Sequence, residues 1–280
     1  MVNNDVICSD NISVVIPFYQ AYDYFATALE SVKKQTVSIN EIIVVDDGCG
    51  EKAQQFLSKF DGIEVIHLTK NSGPSTARNT GVKQAKNDWI AFLDADDIWQ
   101  PNKIEQQIHF LKENPQYACC HTGIETFNNK GVTNVFIDKP NDIQIADLLK
   151  SSHVTPPSLL IKKSVIEAAN YFDENMHCSE DHDFSIRILE LGFNIGFINQ
   201  PLTKVRRMDH GNISSNGRNL IIGHWQLLKK NYHLFKQEKG SASYFMYKTF
   251  MTAGGKSQGV ERKLYYLTGL IIQFIFRVKN

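Results

Sequence analysis

No stretch of this sequence stays apolar for the roughly 20 residues that a membrane-spanning helix needs, and the opening MVNNDVICSD lacks the basic and then apolar run of a secretory leader. The composition therefore predicts a cytoplasmic protein. Cysteine is scarce: the five thiols, Cys8, Cys49, Cys119, Cys120 and Cys178, are odd in number and show neither a zinc-ligand spacing nor a secreted disulfide framework. Charge of one sign is not in excess, since 30 Lys and Arg balance 30 Asp and Glu. That balance argues against nucleic acid as a partner, and any anion has to be held locally. The chain has no internal repeat and no low-complexity tract. No GxGxxG follows the first strand, which weighs against a dinucleotide dehydrogenase.

What is present is enough apolar residue, 42% of 280, to bury a full core. Ile12 to Pro17 (ISVVIP) is a β-branched run stopped by proline, a buried strand ending in a turn. Phe25, Ala28, Leu29 and Val32 form a helical stripe within Tyr22 to Gln35, and Glu41 to Val45 (EIIVV) is again a strand. A helix near Glu51 to Phe60, a strand at Glu64 to Leu68, a helix from Ser75 to Ala85 and a strand at Trp89 to Leu93 continue the alternation, which implies a parallel sheet. Ligands of open α/β sheets sit beyond the carboxyl ends of the strands. The tips Pro17 to Tyr19, Asp46 to Gly48, Asn71 to Gly73 and Asp94 to Asp97 are thus expected along one edge, as one nucleotide cleft. A helix at Lys103 to Glu113 leads to mixed strands near Ala118 to Phe127 and Ser158 to Ile161, with polar loops at Asn128 to Gly131 and Asp138 to Asp142. Ser179 to Gly192 reads as a helix with Phe184, Ile188 and Leu191 on its apolar face and Gly192 as its stop.

Asp94-Ala95-Asp96-Asp97 follows WIAFL directly. A strand tip projects alternate side chains one way, so Asp94 and Asp96 can face one hard cation such as Mg2+ or Mn2+; the competing reading is an N-cap with first-turn acids. At Asp46-Asp47-Gly48 a carboxylate can accept from the N3–H of a pyrimidine while glycine turns the backbone, or the motif is simply a turn closing a strand. In NSGPSTARNTG, Gly73 and Pro74 open a helix whose free N–H groups, with Arg78, can meet a diphosphate; alternatively Arg78 is a buried partner of Asp46 or Asp47. Glu180 and Asp181 open a later helix, either as capping acids or with Asp181 as a general base. Arg206 and Arg207 are phosphate-binding or acceptor-contacting candidates together with Asp97, and Asp209 or His210 can complete a metal site begun by Asp94 and Asp96.

These motifs, VVIPFYQ, VVDDGCG, NSGPSTARNTG, FLDADD and SEDHDFSIRI, resemble in their order those of the family 2 inverting glycosyltransferases of the GT-A fold, over about Ile12 to Ser214. The resemblance implies an α/β, Rossmann-like domain over 1–215, with a nucleotide-binding half at 12–100 and an acceptor-binding half at 101–215, and a helical extension at 216–280. It implies that Pro17, Phe18, Tyr19, Asp46, Asp47, Gly48, Gly73, Arg78, Asp94 and Ala95 hold the nucleotide of a sugar donor, UDP by default, that Asp96 binds Mn2+ or Mg2+, and that Asp181, beside Glu180, is the base of a single inverting displacement onto a glycan or lipid-linked oligosaccharide. Bacterial relatives build O-antigen, capsule and other surface polysaccharides. The chain departs from the pattern at Cys49, where serine is usual, and at Arg207-Met208-Asp209, where arginine-x-histidine is frequent. A nucleotidyltransferase that makes sugar nucleotides and a non-catalytic sugar-nucleotide-binding module are the alternatives. Leu264 to Phe276, flanked by Arg262, Lys263, Arg277 and Lys279, fits either a helix in the interface at the inner face of the cytoplasmic membrane or one packed on the catalytic domain or on a second subunit.

Overall fold

The computed structural model describes residues 7–207 and 216–278. The chain divides into two units, one comprising Met1–Ile143, Val154–Glu174 and Arg187–Arg207, the other Gln144–His153, Asn175–Ile186 and Met208–Asn280.

The first unit alternates β1 (Ile12–Phe18), α1 (Phe25–Lys33), β2 (Glu41–Asp46), α2 (Glu51–Leu57), β3 (Glu64–His67), α3 (Pro74–Gln84) and β4 (Trp89–Phe92). These strands pair in parallel in the order β3-β2-β1-β4. Helices cover such a sheet, so its central strands are apolar on both faces, and β1, β2 and β4 are buried almost throughout. Every apolar residue of the α1 stripe is buried. An aromatic cluster of Phe18, Tyr22, Phe25, Phe56 and Phe60 joins α1 and α2 to the sheet through ring contacts of 5.0–6.2 Å.

Beyond β4 the sheet is mixed. β5 (Ile98–Trp99) and α4 (Lys103–Glu113) are followed by β6 (Tyr117–Asn128), β7 (Gly131–Phe136), α5 (Ile145–Leu148), β8 (Leu159–Lys162), α6 (Lys163–Ala168), α7 (Glu180–Glu190) and β9 (Asn194–Arg206). The order continues β4-β8-β6-β9-β5, with β7 paired to β6 as a hairpin. The strands expected near 118–127 and 158–161 are β6 and β8; β7 and β9 have no counterpart in the sequence reading. Every residue of β7 is exposed, so it has no buried face to leave a period-two signal. β9 is interrupted by irregular register against β6 on either side of Pro201. Leu191, assigned to the apolar face of α7, is 49% exposed, because the helix ends at Glu190 and Gly192 turns away with a φ of 81°.

The second unit is helical. α5 and the first turns of α7 are joined there by α8 (Gly217–Lys230), α9 (Tyr232–Gln237), α10 (Ser241–Lys256) and α11 (Gly259–Phe276). Its interior includes His182, which donates through Nε2 to the Leu148 carbonyl, and His224, whose ring stacks on Phe245 at 4.7 Å and bonds Thr249 Oγ1 at 2.7 Å. Burial disfavours the charged imidazolium and pushes His182 down to about 4 and His224 to about 3. Unfolded, both titrate near the ordinary value of about 6.5, so the unfolded chain takes up protons that the folded chain refuses. The stability they confer is complete above about pH 6.5 and is lost as pH falls towards 4 and then 3. The melting temperature should therefore fall steeply between pH 6.5 and 4 in a pH series followed by circular dichroism, and His224→Gln should flatten that dependence.

Candidate functional site

In the first unit the parallel strands end in register: Phe18 is paired with Asp46 and Asp46 with His67, while Leu93 N–H, just past β4, bonds the Val15 carbonyl at 3.1 Å. The tips of β1, β2 and β4 and the turn before α3 therefore share one edge, as the strand pattern predicts.

Pro17 is half-buried and Tyr19 is 51% exposed, but Phe18 between them is fully buried in the aromatic cluster. Its side chain faces the core, as alternation requires, so the Phe18 ring is not available to a nucleotide. Only its carbonyl serves the site, accepting the Asp47 N–H at 2.9 Å.

Asp46 and Asp47 are almost wholly buried. Asp46 Oδ1 accepts the Cys49 N–H at 3.0 Å and Oδ2 accepts His67 Nδ1–H at 2.8 Å. Asp47 accepts from Ser72 N–H at 2.7 Å and Gly73 N–H at 2.9 Å. These two amides of the turn before α3 are thus occupied by Asp47. Burial raises the Asp47 carboxyl above its ordinary value even against those two bonds. Gly48 lets the two turns meet: its φ is 71°, and a Cβ there would lie 2.1 Å from the Lys70 carbonyl carbon.

The DADD loop is held from two sides. Arg78, buried on α3, donates through a terminal guanidinium nitrogen to Asp94 Oδ1 at 2.8 Å. Its carboxylate partner is therefore Asp94 rather than Asp46 or Asp47. Asp97 is buried and accepts the Arg206 N–H at 2.8 Å, while Arg206 Nε donates to the Asp96 carbonyl at 3.0 Å. The Arg206 guanidinium lies 4.4 Å from the Tyr24 ring and 4.5 Å from that of Phe127. Arg206 and Asp97 thus make bonds that brace the loop, whereas Arg207 is exposed, its N–H bonded to the Phe127 carbonyl and its charge acting on Asp96 and Asp97. Ala95 is buried beneath the turn that Asp97 N–H closes onto the Asp94 carbonyl.

Three carboxylates in four residues repel one another. Burial, then Asp94, push Asp96 up to about 6; burial, then Asp94 and Asp96, raise Asp97 well above its ordinary value. Among the described residues no group of three or more His, Cys, Asp or Glu side chains is disposed to hold a metal ion. Asp94 and Asp96 are nevertheless hard carboxylates of the kind that Mg2+ or Mn2+ commonly takes one or two at a time, completing its shell with phosphate oxygens and water. Asp209 and His210 lie outside the described residues.

Glu180 and Asp181 belong to the second unit and begin α7, both half-buried. Asp181 Oδ1 accepts the His182 N–H at 2.8 Å, and the preceding Ser179 has a left-handed φ of 64°, uncommon for a non-glycine residue. Asp183, two residues on, is fully buried and bonds Lys230 Nζ at 2.9 Å. His67, Tyr24 and Phe127 were not legible as site residues; the only hint was the place of His67 at the end of the third strand.

Solved structures with this fold exist. TarS of S. aureus, in its complex with UDP-GlcNAc, superposes with a TM-score of 0.68 at 18% identity, over 93% of this chain and 79% of that one. The fold is GT-A. Residues 13–168 match the profile of Glycosyl transferase family 2, and the chain belongs to that family. TuaG of Bacillus subtilis, a putative teichuronic acid biosynthesis glycosyltransferase, is 28% identical over 81% of this chain and 87% of its own. WfgD of Escherichia coli, a UDP-Glc:alpha-D-GlcNAc-diphosphoundecaprenol beta-1,3-glucosyltransferase, is 29% identical over 78% and 85%. An uncharacterized glycosyltransferase of Rickettsia felis is 32% identical over 72% of this chain, which spans only 34% of that longer relative.

Cys49, where the family usually has serine, accepts the Gln20 N–H at 3.4 Å, and burial raises its thiol to about 11. A serine hydroxyl can accept the same bond. Cys49→Ser should leave turnover within about two-fold of wild type, and Cys49 should resist iodoacetamide at pH 8 because so little thiolate is present. Titration of Asp96 has a second consequence. Protons and a cation compete for the carboxylate, so Mn2+ affinity measured by electron paramagnetic resonance should rise as pH increases through 6, and Asp96→Asn should remove most of that rise.

Proposed function

We propose that the chain moves a sugar from a nucleoside diphosphate donor, UDP by preference, to a hydroxyl of a glycan or lipid-linked glycan in bacterial surface-polysaccharide synthesis of the O-antigen or capsule kind, with inversion at the anomeric carbon. The observation that carries this reading is the β4 tip, where Asp94 is clamped by Arg78 and Asp96 is raised by burial and then by the Asp94 charge. Family membership supports the reaction class. The names of WfgD and TuaG support a cell-envelope polysaccharide, and the TarS complex with UDP-GlcNAc supports a UDP-sugar.

In this reading Tyr19 and the turn at Asp46 to Gly48 border the base, with Asp46 and Asp47 setting the turn's shape. Asp94 and Asp96 would hold Mn2+ or Mg2+, which when bound neutralises charge on the departing diphosphate; Asp209 and His210 remain candidates for a further ligand. Arg207 is the candidate for direct phosphate contact. Asp181 takes the proton of the acceptor hydroxyl while that oxygen bonds to the anomeric carbon and the carbon–oxygen bond to the diphosphate breaks. The nucleoside diphosphate leaves with the bonding electron pair, and no covalent enzyme intermediate forms.

The test is a thermal-shift series with UDP, GDP, CMP and dTDP, each with Mn2+ or EDTA, combined with a transfer assay. UDP with Mn2+ should raise the melting temperature, as a ligand of the folded state does by mass action, and EDTA or Asp96→Asn should abolish the shift. Asp181→Asn should keep the shift but lower transfer by about 10²- to 10⁴-fold. Transfer by Asp181→Asn at the wild-type rate would assign the base elsewhere.

A further inference from the structure

The neutrality of the whole chain conceals a sharp partition. Residues 216–280 contain eleven Lys and Arg against two Asp and Glu; since the chain has 30 of each, residues 1–215 contain 19 against 28. The C-terminal segment therefore carries a formal charge of +9 and the remainder −9.

α11 lies within the cationic segment. One face packs on α10, where Gly254 admits the Tyr266 ring and Gly269 admits Met251. The opposite face is apolar and open to solvent: Val260, Leu264, Leu267, Ile271 and Phe274 follow at intervals of four, three, four and three residues and are 48–86% exposed. At about 100° per residue these side chains fall within a sector of roughly 80°, a continuous stripe along a helix about 27 Å long. Arg262 and Lys263 are exposed on the same helix, and Arg277 is exposed just beyond its end. No helix among the described residues is long and apolar enough to cross a membrane.

We propose that α11 lies in the interfacial plane of an anionic lipid bilayer, its apolar stripe among the acyl chains and its cations at the headgroups. Charge selects this occupant. A second copy docking through the same face would bring two +9 segments together, a like-charge juxtaposition that costs free energy, whereas an anionic surface attracts each cation that reaches it. An amphipathic helix with this moment and these flanks lies on a bilayer rather than spanning it. Neither the stripe nor the charge partition depends on the transferase reading.

The experiment is cosedimentation of the full chain, without donor or acceptor, with sucrose-loaded vesicles of phosphatidylcholine alone or mixed with phosphatidylglycerol. Partition onto the mixed vesicles should be stronger by about ten-fold or more and should weaken with added salt. Leu267→Ser combined with Phe274→Ser should reduce it by about ten-fold or more with an unchanged melting temperature, because both side chains are exposed. Arg262→Gln combined with Lys263→Gln is the second variant and should reduce partition onto anionic vesicles alone, by about five-fold per cation that reaches the surface. Equal partition of wild type onto the two vesicle types, or wild-type partition by both variants, would overturn the proposal. So would a dimer in sedimentation equilibrium that the serine variant dissociates without loss of lipid partition.

Discussion

Like-charge repulsion at the tip of β4 is the constraint to which much of the first unit answers. Two unit charges about 4 Å apart at an effective dielectric constant of about 20 cost about 4 kcal/mol, comparable to a sizeable part of a domain's whole stability. Asp94, Asp96 and Asp97 share one turn, and the chain offsets their repulsion with cations delivered from distant sequence. Arg78 comes from α3 and Arg206 from the end of β9, each reaching the loop through a hydrogen bond of 3.0 Å or less. The mixed half of the sheet thereby has a role beyond covering apolar surface. β9 runs beside β6 and β5 for thirteen residues and ends where its last residue can brace the loop.

The carboxylates of the first unit fall into two kinds by what surrounds them. Asp46 and Asp47 accept bonds on both oxygens and shape the turns around them, and Asp97 accepts the Arg206 N–H at the end of β9. An acid so occupied has little capacity left for a ligand, since each new partner must displace an existing one. Asp96 differs: burial and the Asp94 charge raise it to about 6, so its ionised form is the one that gains most from an incoming cation. Hydrogen-bond occupancy thus distinguishes acids that look alike in sequence.

That separation marks the limit of what could be read from the residues alone. Buried parallel strands appear as short apolar runs stopped by Pro, Gly or Asp, so β1, β2 and β4 and the acids at the tips of β2 and β4 were legible. Partners were not, because a bond such as Arg206 to Asp97 spans 109 residues and leaves no local pattern. Polar residues taken into the interior mislead in the same way. Lys103 begins α4 where a solvated lysine would be ordinary, yet it is fully buried, bonded to Gln107 at 2.7 Å and 4.1 Å from the Trp99 ring, with burial lowering it to about 7. Gln107 in turn donates to the carbonyls of Cys120 and Ser158, a buried polar chain that ties α4 to the sheet.

The second unit applies the same logic to a helix end. Successive helical residues point about 100° apart, so a helix tip can be anchored through some side chains while presenting others. In α7, His182 is tied to the Leu148 carbonyl and Asp183 to Lys230, and every residue from His182 to Ile186 is buried. Glu180 and Asp181, one turn position earlier, remain half-buried. Asp183 is fully buried, so loss of Lys230 would strip a buried carboxylate of its cation. The anchors add to the intrinsic preference of EDHD for a first turn, where acidic residues contribute about 0.3–1 kcal/mol each. His182 and Asp183 thus fix the backbone of the helix tip from below, and the Asp181 carboxylate closes it from above by accepting the His182 N–H at 2.8 Å.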